Sequence, residues 1–232
     1  MTLPLLISVP HAGLEVPPEV RDACILTPEE IAADGDEGAA EIYAIEPDVT
    51  AFVTTHVARA FVDQNRSEDD RRKDGVVKTH TCWDVPVYRE PLGADVVERL
   101  LARYHRPYHA RLRQRAPDVV FGLDCHTMAA HGPPVGPDPN AERPPICLSN
   151  ADGTCSAAAI ESLAEELQRS LGVEPSINVP FQGGWIVRSH ARELPWIQVE
   201  FSRAAWTSPA EKRRAFMAGV REWCRKRGPA AT

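Results

Sequence analysis

No stretch of this sequence approaches the ~20 consecutive apolar residues that a membrane-spanning helix needs, so no membrane partner is expected. The apolar segment at 3–9 has no Lys or Arg ahead of it and is short, which makes it a buried strand and not a signal peptide. Cysteine is sparse. The six thiols (24, 82, 125, 147, 155 and 224) include no CxxC and no regular spacing, which excludes a zinc ribbon and a disulfide framework. They read as buried thiols in a reducing cytoplasm. Basic charge is also short: 26 Lys plus Arg against 33 Asp plus Glu leave −7, so a nucleic-acid partner is not expected. No Gly-Lys-Ser/Thr follows the Gly183-Gly184 pair, so it is not a phosphate loop. Neither a repeat nor a long linker interrupts the chain, and one domain over 1–232 is expected.

What the sequence does contain is an alternation of strand and helix patterns. Leu3–Val9 predicts a strand stopped by Pro10, and Thr27-Pro28-Glu29-Glu30 a helix start. Residues 51–57 and 60–63 carry β-branched and aromatic residues and predict two strands, and 64–84 a long polar loop. Val96, Val97, Leu100, Leu101, Tyr104 and Tyr108 recur at helical spacing within 93–115, where Pro107 should kink or split the helix. Residues 118–124 predict a buried strand delivering Asp124-Cys-His126-Thr at its end. Six prolines between 131 and 145 predict a rigid extended loop. Helices are expected at 156–171 and 208–227, and strands at 176–180 and 196–201. The alternation favours an α/β fold with a largely parallel sheet covered on both faces.

Three of the predicted strands end in residues able to do chemistry: His11, His126 and Glu200. In open α/β sheets ligands bind at the carboxyl ends of strands, where groups far apart in sequence converge. Asp124 lies two residues before His126, on the same side of a strand, and could accept the second ring N–H of a metal-bound imidazole. With His11 as a second imidazole, Asp36 is the natural oxygen ligand, with Glu37 and Glu15 as competitors. Each histidine could equally be structural. Arg66, in Asp63-Gln-Asn65-Arg66, presents a fork able to hold a carboxylate, or else pairs with an Asp. Arg188, after Gly183-Gly184-Trp185, is a further anion-binding candidate on a glycine-bracketed loop. Glu200 in an apolar strand should have a raised pKa and suits a general base, unless Arg203 or Lys212 pairs with it.

Taken together and in order, Ser8-Val-Pro-His-Ala-Gly13, Asp36-Glu-Gly-Ala39, Phe61-Val-Asp-Gln-Asn-Arg66, Asp124-Cys-His-Thr127, Gly183-Gly-Trp-Ile-Val-Arg188 and Val199-Glu-Phe201 resemble the N-formylglutamate amidohydrolase (deformylase) family. Thr81–Arg89 and Tyr104–His109 are also similar to stretches of that family. The resemblance runs from residue 3 to about 225 and implies a relative of zinc carboxypeptidases and aspartoacylase-type deacylases. It implies a three-layer α/β/α fold with a mixed sheet and one zinc ion per chain, for which His11, Asp36 and His126 are the expected ligands. It also implies Glu200 as the catalytic base and Arg66 as the residue that holds a substrate carboxylate; Asn65 beside Arg66, Arg188 or Arg89 as helpers, and Asp63 and Asp124 behind the ligands complete the expected site. The activity implied is hydrolysis of N-formyl-L-glutamate, a small N-acyl amino acid, to formate and glutamate at the end of one histidine-degradation route. One departure stands out: carboxypeptidase-type sites take two ligands from His-x-x-Glu, whereas position 14 here is Leu, so the carboxylate must come from elsewhere.

Overall fold

The computed structural model describes residues 2–136 and 138–227. Six strands form one sheet in the order β2-β1-β3-β6-β4-β5: β1 (Leu3–Val9), β2 (Val49–Thr54), β3 (Phe121–Met128), β4 (Ile146–Ser149), β5 (Ser176–Ile177) and β6 (Trp196–Ser202). The β1–β2, β1–β3, β3–β6 and β4–β5 pairs are parallel, and β4 runs antiparallel to β6. The sheet is therefore mixed and largely parallel, as expected, and β4 is the strand the sequence pattern did not flag.

The two faces of the sheet differ, and the difference places the chemistry. Leu5, Ile7 and Val9 of β1, Leu123 and Cys125 of β3, and Ile197, Val199 and Phe201 of β6 belong to one apolar cluster. Helices α2 (Ala39–Ile42), α5 (Ala157–Leu171) and α7 (Pro209–Arg227) cover that face. Strand residues of the other parity point the opposite way. There Leu6 and Trp196 meet Tyr108 and Leu112 of α4 (Arg106–Arg115) and Ile186 and Val187 of α6 (Trp185–Ser189). Further along the same parity come Ser8, Asp124, His126, Gln198 and Glu200, all buried. One face is thus oily throughout, and the other turns polar towards the strand ends.

Local chemistry explains most boundaries. The helix α1 (Pro28–Asp34) starts with a capping box, Thr27 accepting from the Glu30 amide and Glu30 from the Thr27 amide. Ser156 caps α5, which ends at Gly172 in the left-handed region (φ 72°). Pro107 acts as expected: α3 (Ala94–Leu100) and α4 are joined by a π-helical turn over Leu101–His105, which absorbs the missing proline N–H.

Four expectations need correction. Residues 60–63 form a turn, not a strand, because Phe61 and Val62 donate to the nearby Ala58 carbonyl. Ala60, Phe61, Val62 and Asp63 are all buried, a pattern that strand alternation does not produce. The strand expected over 118–124 begins at Phe121 and runs on to Met128, so His126 sits within it and not after it. The predicted glycine-bracketed loop at 183–188 is a helical turn from Trp185 onward. The strand at 176–180 is cut to two residues. The Pro-rich segment is an extended loop as predicted, with Pro137 outside the described residues.

Candidate active site

Strands β1, β3 and β6 lie side by side at the centre of the sheet, and their carboxyl ends build the site. His11 follows β1 after Pro10, and His126 of β3 stands in register with Glu200 of β6. Asp36 arrives from the turn between α1 and α2, where its backbone N–H donates to the His11 carbonyl at 3.1 Å. Its carboxylate then accepts from the Thr127 amide at 3.2 Å. One backbone–backbone bond and one from a backbone amide to the carboxylate thus lock an acidic loop onto two strand ends.

One ligand atom from each of His11, Asp36 and His126 lies within 4.8 Å of the other two, and all three residues are buried. Asp36 Oδ2 is 2.9 Å from His126 Nδ1 and 3.5 Å from His11 Nδ1. The far nitrogens are pinned by other carboxylates: His11 Nε2 is 2.8 Å from Asp63, and His126 Nε2 is 2.9 Å from Asp124. Asp63 and Asp124 hold a proton on each Nε2 and leave both Nδ1 atoms facing the Asp36 carboxylate, the outer arrangement typical of metal-bound histidine. His11 Nδ1 is buried and has no hydrogen-bond partner. Two imidazole nitrogens crowded against one buried carboxylate oxygen call for a positive charge shared between them. The residues present fit a metal ion.

Charge balance supports the same conclusion. Asp34, Asp36, Asp63, Asp124 and Glu200 are buried together, and among the described residues the full cations that pair with them are Lys78, Arg59 and, at 3.8 Å from Asp63, Arg66. Burial pushes Asp36 upward, but His11 and His126 overcome it and hold it well below the usual carboxylate range. For Asp63 burial is likewise outweighed, by His11 and Arg59. His126 is pushed down by burial, yet the charges of Asp124 and Glu200 dominate and hold it well above its ordinary value. A pocket that draws a proton onto a buried imidazole is one short of positive charge.

Glu200 is 6% exposed, and burial raises its pKa to about 7 against the opposing charge of His126. Neither of its anticipated partners binds it: Lys212 Nζ donates to the Ser202 carbonyl and Arg203 to that of Gly35. It accepts instead from Gln198 Nε2 at 2.8 Å, while Gln198 Oε1 accepts from the Gly184 amide. A carboxylate so oriented and poised near neutrality has the properties of a general base.

A cavity of about 490 Å³ opens over these groups. Asn65 and Arg66 line it. Asn65 Oδ1 accepts from the Ile186 amide, and its Nδ2 comes within 3.2 Å of His126 Nε2. Arg66 donates to Asp74 at 2.9 Å. The Pro-rich loop contributes Pro133, Val135 and Arg143 to the wall. Arg188 and Arg89 are not brought in: both are exposed, and Arg188 donates to the carbonyls of Gly183 and Gln182. Glu15 and Glu37 are exposed too, leaving Asp36 as the carboxylate that joins the histidines.

Several contributors escaped sequence reasoning. Arg59 reaches Asp63 at 2.9 Å from four residues away, a spacing that could have suggested the pair. Gln198 shares strand parity with Glu200, as Asp124 does with His126. Lys78, buried and 2.9 Å from Asp34, gave no such signal from within a polar loop. The imidazoles of His105 and His109 extend from the π-helical turn and α4 and hold the Arg66 and Gln64 carbonyls at 2.9 and 3.0 Å. His190 in turn lies 2.8 Å from His109. These rings buttress the Asn65–Arg66 turn from behind.

Comparison with known proteins agrees with this architecture. An N-formylglutamate deformylase of Pseudomonas putida is 27% identical over 90% of this chain and 84% of its own length. One from Pseudomonas aeruginosa is also 27% identical, over 88% and 82%. The crystal structure of N-formylglutamate amidohydrolase from Ralstonia eutropha superposes with a TM-score of 0.79 at 22% identity, covering 98% of this chain and 96% of that one. A gene product of Agrobacterium tumefaciens has a TM-score of 0.72 at 16% identity, covering 96% and 88%. At those identities the two structures attest the fold. The sequence profile of the N-formylglutamate amidohydrolase family matches residues 3–207, a span that holds His11, Asp36, His126 and Glu200, and the chain belongs to that family.

Proposed function

We propose that this protein hydrolyses N-formyl-L-glutamate to formate and L-glutamate, with one zinc ion held by His11, Asp36 and His126. The observation that carries the reading is the meeting of two inward imidazole nitrogens and a buried carboxylate beside Glu200. Zinc bound there supplies a Lewis acid, which eases deprotonation of water near neutral pH and polarises a carbonyl.

The chain's own groups do the remaining work. Glu200 takes the proton of the water whose oxygen attacks the formyl carbon, and the C–N bond then breaks as Glu200 hands that proton to the leaving nitrogen. Gln198 holds the Glu200 carboxylate in the line of attack through its 2.8 Å bond. Asp63 and Asp124 keep both imidazoles in the tautomer that offers Nδ1 inward. Arg66, on the cavity wall, takes one of the substrate's carboxylates, and Asn65 packs beside the reacting amide. The same reading puts the reaction in histidine catabolism, in a reducing cytoplasm that suits the six free thiols.

The test is formate release from metal-loaded protein offered N-formyl, N-acetyl and N-succinyl amino acids, with metal stoichiometry measured on the same sample. N-formyl-L-glutamate should be the preferred substrate at one zinc per chain. Replacing Glu200 by Gln should keep the metal and lower kcat at least ~100-fold. Absence of formate release from N-formyl-L-glutamate at full zinc occupancy would refute the reading.

A further inference from the structure

A dianionic substrate calls for two cationic contacts, and the cavity already contains the second. Six cations line its wall: Arg59, Arg66, Arg72, Lys78, Arg143 and Arg203. Five pair with carboxylates of the protein, Arg66 by a hydrogen bond from its Nη2 alone, so that its other N–H groups can still meet a ligand. Arg59 binds Asp63 at 2.9 Å, Arg66 binds Asp74 at 2.9 Å, and Lys78 binds Asp34 at 2.9 Å. Arg72 pairs with Asp70 at 2.6 Å, and Arg143 makes a two-pronged bond to Asp138 at 2.7 and 2.8 Å. Among the described residues Arg203 alone of the six has no carboxylate partner; its one side-chain bond runs from Nη1 to the Gly35 carbonyl at 3.3 Å. Two of its nitrogens, Nε and Nη2, keep their N–H groups for another acceptor.

Its position is equally specific. Arg203 is the first residue past β6, three beyond Glu200, and its backbone N–H is tied to the Met128 carbonyl at 2.8 Å. The carbonyl its side chain touches belongs to the residue before Asp36. The guanidinium therefore sits against the loop that carries the candidate ligand, on the cavity side, and it is half-buried. A half-buried arginine without a counter-ion beside a carboxylate-rich cluster holds a charge the fold does not use. An external carboxylate fits its free fork in two parallel hydrogen bonds.

We propose that Arg203 binds one of the two carboxylates of the substrate, acting alongside Arg66. The proposal rests on the deformylase reading for the identity of the ligand. It takes over the helper role that Arg188 and Arg89 cannot fill from outside the cavity.

The test is a substrate-trimming cycle on zinc-loaded protein. Arg203→Gln and the unmodified enzyme are each assayed for formate release on N-formyl-L-glutamate, N-formyl-L-glutamine and N-formyl-L-isoglutamine, which remove the two carboxylates one at a time. On the dianion the substitution should lower kcat/KM roughly 30- to 100-fold, through KM. On one of the two amides that penalty should shrink to within about threefold, because the partner is already gone. An equal penalty on all three substrates overturns the assignment, as does a loss confined to kcat. Calorimetric titration with glutarate gives a readout free of turnover: the variant should bind it more weakly by a similar factor, and equal binding, or none by the unmodified protein, overturns the proposal. Should the unmodified enzyme release no formate from any of the three, the deformylase reading fails, and the glutarate titration still decides the case of Arg203. If Arg203→Gln does not fold, Arg203→Lys replaces it, keeping the charge but losing the fork, with about a tenfold loss expected on the same dianion and none on one amide.

Discussion

Glu200→Gln, the substitution expected to lower kcat at least ~100-fold, should stabilise the metal-free fold at alkaline pH. The Glu200 carboxyl is 6% exposed and has a pKa of about 7 against an ordinary 4.5. Between those values the native state holds a proton that the unfolded chain has released. Unfolding free energy therefore falls as pH rises from about 4.5 to about 7, and stays reduced above that. A difference of about 2.5 pH units at ~1.4 kcal/mol per unit gives a cost near ~3 kcal/mol at pH 8. Glutamine does not titrate, and its carbonyl can still accept the hydrogen bond from Gln198 Nε2. The variant and the unmodified protein should thus have similar stability near pH 4.5 and separate by about 3 kcal/mol at pH 8. With a urea m-value of ~2–3 kcal/mol/M, that is a midpoint shift of roughly 1 M. Urea titrations at pH 5, 6.5 and 8 with chelator present would measure it; titrations of groups remote from Glu200 cancel, whereas His126, which feels its charge, is held less far above its ordinary value in the variant. A gap that stays constant or narrows over that range refutes the claim that Glu200 is a buried carboxyl poised near neutrality.

Metal analysis should find His126→Ala without bound zinc, whereas Asp124→Asn, which spares the ligand, should weaken zinc affinity about 10- to 100-fold in a chelator competition; full occupancy of the first would remove His126 from the ligand set. Burial and the charges of His105 and His190 push His109 down to about 3. The native state thus binds fewer protons than the unfolded chain between pH 6.5 and 3, and stability falls as pH drops through that window, by about 3 kcal/mol at pH 4. His109→Gln, whose amide can still donate to the Gln64 carbonyl, should flatten the acid slope of the urea midpoints, and parallel slopes would contradict it. A Cβ at Gly184 would lie 2.2 Å from Asn65 Nδ2, a side chain already anchored to the Ile186 amide. Gly184→Ala should therefore displace Asn65 and lower kcat/KM about 10- to 100-fold with zinc content intact; normal kinetics would separate Asn65 from the reaction.

Much of the framework was determined by the sequence alone, because its causes are local. Pro10 stops a strand, Thr27 and Glu30 cap a helix, Pro107 forces a π-helical turn into another, and alternate residues of a strand share a face. Those same rules brought out His11, His126 and Glu200 at strand ends and set Asp124 behind His126. The family followed from the order of the short motifs. Tertiary structure decided everything that depends on residues distant in sequence meeting: Asp36 over Glu15 and Glu37, Asp63 behind His11, the antiparallel β4, and the turn at 60–63 where a strand was expected. It also decided which arginines remain free. A cation's role follows from where its counter-ion lies, and Asp34, Asp70 and Asp138 take up charges that composition counts as available, while Arg188 and Arg89 are exposed outside the cavity lining. Side-chain type is a property of the chain, but an unpaired charge is a property of the fold.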